Sequence, residues 1–291
     1  MKQKVLFIIN PVAGVKRKNK IPRLIKKYLD HSLFEHRIIY TQRRGHATEL
    51  AKRAAAEKYD IVAVAGGDGS VNEAASGLMH TETALLILPY GSGNGLARHL
   101  HYSMHISRTI KRLRNHKVKH IDACVVNNHY FFSLVGIGFD AFVAKVFDRE
   151  RTRGFITYAW AAVKSLWTYQ TYSYRLTCDG MVKTGEAFII NLCNSNQYGY
   201  NIKIAPDAKL DDGWIDVVII RKIQKWRAIL LVFQVMWNLP GKENCMEYLR
   251  GKSIHIETNH YTYLQVDGET LHKAKEFTTQ IFTSALKVVV H

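Results

Sequence analysis

At 291 residues the chain has the length for two domains and for a core that needs no disulfide staples. Its four cysteines (Cys124, Cys178, Cys193, Cys245) are scattered without a C-x-x-C pair, which excludes a disulfide framework or a cysteine zinc site and reads as a reduced, cytoplasmic thiol set. The formal net charge of +17 is lopsided: residues 1–120 carry 22 Lys and Arg against 8 Asp and Glu, and the remainder 19 against 16, so the first half is built to meet something anionic.

The apolar run before Asn10 and Pro11 is too short for a signal-peptide core or a membrane span and reads as a first strand, 4–10. A helix is expected over 19–31, a strand over 34–41, a helix over 46–59, a strand over 60–67 and a helix over 70–80. A strand beginning at 83 then enters a second glycine turn ending at 94. Strict alternation implies an α/β nucleotide-binding domain with a parallel sheet, helices on both faces and ligands at the carboxyl ends of the strands. Beyond about Val118 the runs HIDACVVNN, HYFFSLVGIG, YSYRLTCDG, KTGEAFIINLCN, GWIDVVIIR, SIHIETN, YTYLQVDGE and EFTTQIFT follow closely, separated by turn signals such as Asp179-Gly180. They read as a mostly antiparallel, β-rich second domain with helical insertions around 152–170 and 225–237. The expected boundaries are 1–120 for the first domain, with 284–291 packing back on it, and 121–283 for the second.

Four stretches place glycine and acid at strand ends: NPVAG (10–14), GGDGSVNE (66–73), PYGSGNGLAR (89–98) and DGE (267–269). Glycines let the backbone approach a phosphate and turn its N–H groups toward it, and Ser70 and Ser92 add hydroxyl donors. Any one such turn also reads as plain strand-to-helix packing, which needs glycine for steric reasons. Three at successive ends of one parallel sheet face the same edge.

With GIGFDA (136–141) and APDAKLDDG (205–213), the ordered set NPVAG, GGDGSVNEAASGL, PYGSGNGLARHL and VDGE resembles the diacylglycerol kinase catalytic-domain family. That family includes bacterial lipid kinases and the sphingosine and ceramide kinases. The resemblance runs from Asn10 to Glu269 and implies ATP-dependent phosphoryl transfer to the hydroxyl of diacylglycerol or a sphingoid-type lipid. It implies that Asn10, Thr41, Gly66, Gly67, Asp68, Gly69, Ser70, Asn72, Ser92, Gly93 and Asn94 line the ATP. In the bacterial branch it implies a structural Mg2+ at the LDDG turn, on Asp212 with backbone oxygens near Lys209 and Trp214, and a proton acceptor at Glu269. In the sphingosine-kinase branch the aspartate matching Asp68 is the base, and the one matching Asp140 meets the lipid head group. Glu269 is the favoured base here, with Asp68 as an organiser of metal and phosphate and Asp122 and Asp140 as support. Acids at strand ends also serve simply as caps and turn residues. The third motif departs from the bacterial pattern: Ser92-Gly93-Asn94-Gly95 stands where many members have Thr and Asn-Asp, a form closer to the sphingosine and ceramide kinases.

A carboxylate beside a triphosphate is unfavourable unless it holds magnesium, so ATP and Mg2+ are the expected cofactors. The cations Lys16, Arg17, Lys18, Lys20, Arg43 and Arg44 suit ATP or an anionic bilayer, which the chain would visit peripherally from the cytoplasm at the inner membrane face. A homodimer is compatible with the sequence. The apolar run 228–239 is a core helix or a membrane-contact element, and His99, His101 and His105 match no closed zinc site. Two other activities fit parts of the chain. An NAD-kinase-like phosphotransferase on a soluble nucleotide shares GGDG but leaves GIGFDA and DGE unexplained. A noncatalytic module for anionic membrane or nucleic acid would use the basic half, yet no dedicated nucleic-acid motif is present, so no nucleic-acid partner is expected.

Overall fold

The structure, a computed structural model, describes residues 2–13, 20–91, 93–148, 155–199, 202–236, 239 and 245–290. The chain forms two compact units, Met1–Asp122 with Thr283–His291, and Ala123–Phe282.

The first unit runs β1 (Gln3–Ile9), α1 (Lys20–Tyr28), β2 (Phe34–Tyr40), α2 (His46–Ala56), β3 (Ile61–Gly66), α3 (Asp68–Leu78), β4 (Ala84–Pro89), α4 (Gly95–His99) and α5 (Ile106–Arg112). β5 (Lys117–Val126) leaves it. Its strands are parallel in the order β2-β1-β3-β4, so chain direction across the sheet reverses between β1 and β3. That reversal is where open α/β sheets bind ligands, beyond the carboxyl ends of the strands. β3 and β4 are wholly buried, as expected of strands covered on both faces, whereas β2 at the edge alternates poorly and stays largely exposed. The strand ends are in register: the N–H groups of Asn10, Thr41 and Tyr90 donate to the carbonyls of Ala65, Ile9 and Gly66.

The second unit continues with β6 (His129–Phe131), β7 (Leu134–Gly138), α6 (Phe139–Asp148), α7 (Phe155–Ser165), β8 (Tyr172–Cys178), β9 (Met181–Cys193), β10 (Gln197–Gly199) and β11 (Ile202–Lys203). It ends with β12 (Ile215–Arg221), α8 (Lys225–Met236), β13 (Met246–Gly251), β14 (Ser253–Thr262), β15 (Leu264–Val266), β16 (Glu269–Thr270) and β17 (Ala274–Val290). The last residues of β17 return to the first unit, where Val288 pairs parallel with Leu85 of β4. Pairing within the second unit is antiparallel. β9 is its hub, bonding β8 through its first half and both β7 and β12 through its second.

The period-2 geometry of a strand explains the unbroken apolar reading of β12. Val217 and Ile219 enter one core with Phe131, Leu176, Ile254 and Phe277, while Val218 and Ile220 enter another with Phe139, Ala162, Ala228 and Leu231. The fold class read from the sequence is therefore the observed one. The helical segment over 139–148, which follows GIG without a turn signal, was not singled out by the sequence pattern.

In the first unit α2 and α3 pack closely because their facing positions are small: Ala47, Ala51 and Ala54 against Ala74 and Gly77. A Cβ at Gly77 would stand 2.6 Å from the Thr48 carbonyl oxygen and 2.9 Å from Ala51 Cβ. An alanine in a helix ordinarily gains about 0.5–1 kcal/mol over glycine. Here Gly77→Ala is expected to lower stability by about 1–3 kcal/mol through overpacking, measurable by urea denaturation.

Candidate active site

The glycine turns at the carboxyl edge are joined by side chains, and Asp68 makes the principal joint. The expected helix over 70–80 begins two residues earlier, so Asp68 lies in its first turn, where the helix end favours a carboxylate. Its oxygens cross to the next turn: Oδ2 accepts the Asn94 N–H at 2.9 Å and Oδ1 the Gly95 N–H at 2.8 Å. Asn94 itself sits at φ 57° and closes its own turn, donating from Nδ2 to the Gly91 carbonyl and accepting the Gly91 N–H. The strand expected to run on toward Asn94 thus stops at Pro89. The two turns touch so closely that a Cβ at Gly91 would lie 2.5 Å from Gly67 Cα, and one at Gly93 2.7 Å from Asp68 Oδ2.

The first turn is tied to the same cluster. Asn10 Nδ2 donates to Ser70 Oγ at 2.7 Å, while Asn10 Oδ1 accepts the Val12 N–H. Thr41 is buried at the end of β2, Gly69 and Asn72 are half-buried in α3, and Arg98 Nε donates to the Gly93 carbonyl at 3.0 Å. Asn10, Thr41, Gly66 to Ser70 and Asn94 therefore share one edge, held by the register of the strands. Ser92 lies outside the described residues, as do Lys16, Arg17 and Lys18.

Glu73, the acid that closes the GGDGSVNE stretch, caps α2: its carboxylate accepts the N–H groups of Gly45 at 2.8 Å and Ala47 at 3.2 Å. It fixes the loop that carries Thr41, Arg43 and Arg44. Acid spacing after GGDG was the only signal in the sequence, and it could not name the partner helix.

In the second unit a polar network surrounds the DGE turn. Asp267, buried and at φ 45°, accepts three backbone N–H groups, from Phe132, Ser133 and Leu134, at 2.9–3.0 Å. Gln265 links that turn to Asp140: its Oε1 accepts the Gly268 N–H at 2.9 Å and its Nε2 donates to Asp140 Oδ2 at 3.3 Å. Asp140 opens α6 and accepts the Ala141 N–H, and any Cβ at Gly136 would collide with its carboxylate. Burial, with the nearby Asp140 charge as a lesser cause, pushes the Tyr169 phenol well above its ordinary value, and Tyr172 is raised in the same way. Glu269 follows directly in β16, half-buried. Gln265 was missed because nothing in its sequence context marks it. Asp122 is buried and accepts the Ser284 N–H at 2.8 Å, a link between β5 and β17 within the first unit.

The LDDG turn also lies in the second unit. Asp212 Oδ1 accepts the Trp214 N–H at 3.2 Å, its Oδ2 is ion-paired with Arg250 Nη2, and Arg250 Nε pairs with Asp216 at 2.9 Å.

A family model described as the diacylglycerol kinase catalytic domain matches residues 4–126, and one described as the YegS C-terminal NAD kinase beta sandwich-like domain matches residues 133–290. The chain belongs to the YegS-like, diacylglycerol kinase catalytic-domain family of bacterial lipid kinases. A protein of Chromohalobacter salexigens named "Probable lipid kinase YegS-like" is 30% identical over 231 residues, covering 77% of this chain and 74% of that protein. A diacylglycerol kinase of Staphylococcus carnosus is 29% identical over 275 residues, 92% of this chain and 89% of that one. The crystal structure of a diacylglycerol kinase from Bacillus anthracis has the same fold, with TM-score 0.73 over 99% of this chain and 97% of that one at 23% identity. Membership of this lipid kinase family implies ATP as the phosphoryl donor.

The resemblance also implies a resident magnesium at Asp212, and the residues present do not fit one. Both Asp212 oxygens are engaged, and the positive charge a metal would supply comes from Arg250, which spans Asp212 and Asp216. Among the described residues no group of three or more His, Cys, Asp or Glu is placed to hold a metal ion. Lys209 and Trp214 are exposed beside this ion pair. Burial raises the Asp216 carboxyl above the ordinary aspartate value, with Arg250 pulling it down and Asp212 and Asp207 pushing it up. A carboxyl raised in the folded state costs stability as pH climbs through its folded value and gives it back on acidification. Arg250→Met is therefore expected to destabilise this lipid kinase by about 1–2 kcal/mol near neutral pH, with the deficit shrinking on acidification as the raised Asp216 carboxyl takes up its proton. Urea denaturation across that range measures it.

Proposed function

We propose that the chain transfers the γ-phosphoryl group of ATP to a hydroxyl of diacylglycerol or a sphingoid-type lipid, acting peripherally at the cytoplasmic face of the inner membrane. The observation that supports this most is the Asp68 joint, which locks the glycine turns after β3 and β4 together beside the reversal point of the sheet. Phosphoryl transfer asks a protein for placement and charge compensation more than for covalent chemistry. ATP, entering as its magnesium complex, would lie along Asn10, Thr41, Gly66 to Asn72 and Gly93 to Asn94.

The choice of base follows from what each carboxylate already does. Both oxygens of Asp68 accept amide protons, so its role is to hold the turns and thereby position the phosphates. Glu269 is the proton acceptor, on a turn pinned by Asp267 through three amides and joined through Gln265 to Asp140, which meets the lipid head group. The lipid hydroxyl gives its proton to Glu269 as its oxygen bonds the γ-phosphorus, the β–γ bridging bond breaks, and ADP leaves.

The test uses purified full-length chain, labelled ATP and magnesium with diacylglycerol, monoacylglycerol, sphingoid bases and ceramide, and with NAD as a soluble competitor. Label in diacylglycerol or a sphingoid lipid is expected. Transfer to no lipid, or to NAD in preference, overturns the reading.

Variants separate the two acids. Glu269→Gln is expected to lower kcat roughly a hundredfold or more with KM for ATP and melting unchanged. Asp68→Asn sets an amide donor against the Asn94 or Gly95 N–H, so it should raise KM for ATP as well as lower kcat. A wild-type rate in either variant removes that residue from the scheme.

A further inference from the structure

Helix α8 explains both readings of the 228–239 run. Ala228 and Leu231 are buried in the core of the second unit, while Trp226, Leu230 and Phe233, at i, i+4 and i+7, form an exposed apolar stripe on the same helix. α7 packs against α8 and adds two more large aromatics on or just after it: Trp160 is 69% exposed and Trp167 59%, as is Trp226 on α8. These exposures are far above those of a core, and tryptophan is the side chain that folding most gains from burying.

The cations around the stripe are placed as at a lipid interface. Lys225 Nζ lies 5.6 Å from the centre of the Trp167 ring and donates to the Trp167 carbonyl, and the Arg227 guanidinium lies 5.1 Å from the Trp226 ring. Neither 155–178 nor 223–239 contains an Asp or Glu. An apolar stripe whose own two segments carry cations and no acids complements a bilayer with anionic head groups, into which Trp and Phe insert while Lys and Arg remain at head-group level. Among the described residues no helix is long and apolar enough to cross a membrane, so contact through these helices would be in the plane of the interface.

We infer that the exposed face of α7 and α8, carried by Trp160, Trp167, Trp226, Leu230 and Phe233 with Lys225 and Arg227, docks the protein onto an anionic bilayer by shallow aromatic insertion. This rests on the reading that the acceptor is a membrane lipid and names the surface that reaches it. Insertion, not charge alone, supplies the residence on the membrane.

Vesicle binding of the full chain without ATP tests it, using phosphatidylcholine alone and phosphatidylcholine mixed with phosphatidylglycerol. Sedimentation with the anionic vesicles is expected, with partial retention at high salt because the apolar part is unscreened. Brominated acyl chains should quench the tryptophan fluorescence of the unaltered protein, a readout that requires no variant to fold. The double variant Trp226→Ser with Phe233→Ser should bind anionic vesicles about tenfold less. The control Met181→Ser with Val182→Ser, two exposed apolar residues on β9, should bind as wild type. Equal binding by the double variant, absence of bromolipid quenching, or a dimer that the double variant dissolves without any vesicle binding each overturns the inference. If vesicle binding follows the expected pattern while no lipid accepts phosphate, the kinase reading fails and the docking face stands.

Discussion

The carboxylate of Asp68 is the joint on which the first unit's ligand edge depends. The register of the parallel strands brings the glycine turns to one edge but does not fix one loop against the next. Two hydrogen bonds donated by the Asn94 and Gly95 amides to the half-buried Asp68 carboxylate set them. The close approach of Gly91 to Gly67 and of Gly93 to the Asp68 carboxylate follows from that joint. The Asn10–Ser70 bond then brings in the turn after β1. An acid in a phosphate turn looks misplaced only if it points at the phosphate; here it accepts the amides of the neighbouring turn.

The second unit repeats the device with different parts. Asp267 draws three successive amides of 132–134 onto the DGE turn, and Gln265 carries the constraint on to Asp140. Glu73 does the same for the N-terminus of α2. In each case a buried or half-buried carboxylate satisfies several backbone donors that water cannot reach, which makes local geometry rigid without demanding large hydrophobic side chains near a polar ligand. The residues left to touch ligands can then be small.

Much of this architecture was legible in the sequence because it is written in periodicity. The alternation of apolar runs with amphipathic segments over the first ninety residues could mean only a parallel sheet, and the turn residues marked its edge. The closely spaced later runs signalled antiparallel strands with equal directness. The partners of the polar side chains were not legible. Asp68 pairs with a residue 27 positions away and Asp267 with one 135 away, and no local pattern specifies such contacts. Gln265 and Arg250 went unnoticed for a related reason: each acts by bridging, and a bridge is visible only once both banks are in place. The 228–239 run was ambiguous because a helix with Ala228 and Leu231 buried on one face and Leu230 and Phe233 exposed on the other satisfies both expectations at once.

Two departures have one electrostatic logic. The resemblance implies an acid after the Asn of the third motif in the bacterial branch; here Gly95 stands there, and Asp68 accepts its N–H. An aspartate at 95 would bring a second negative charge to the turn that Asp68 already occupies, and like charges at that range need a cation between them. Glycine removes the need. At the LDDG turn the second carboxylate, Asp216, is present, and a cation is accordingly supplied by the chain itself as Arg250. A guanidinium is planar, permanently charged and able to engage two carboxylates at once, so it can replace a divalent ion as a structural tie where no substrate has to bind. At each turn the carboxylates are met by groups of the chain itself, backbone amides at Asp68 and the Arg250 guanidinium at Asp212 and Asp216.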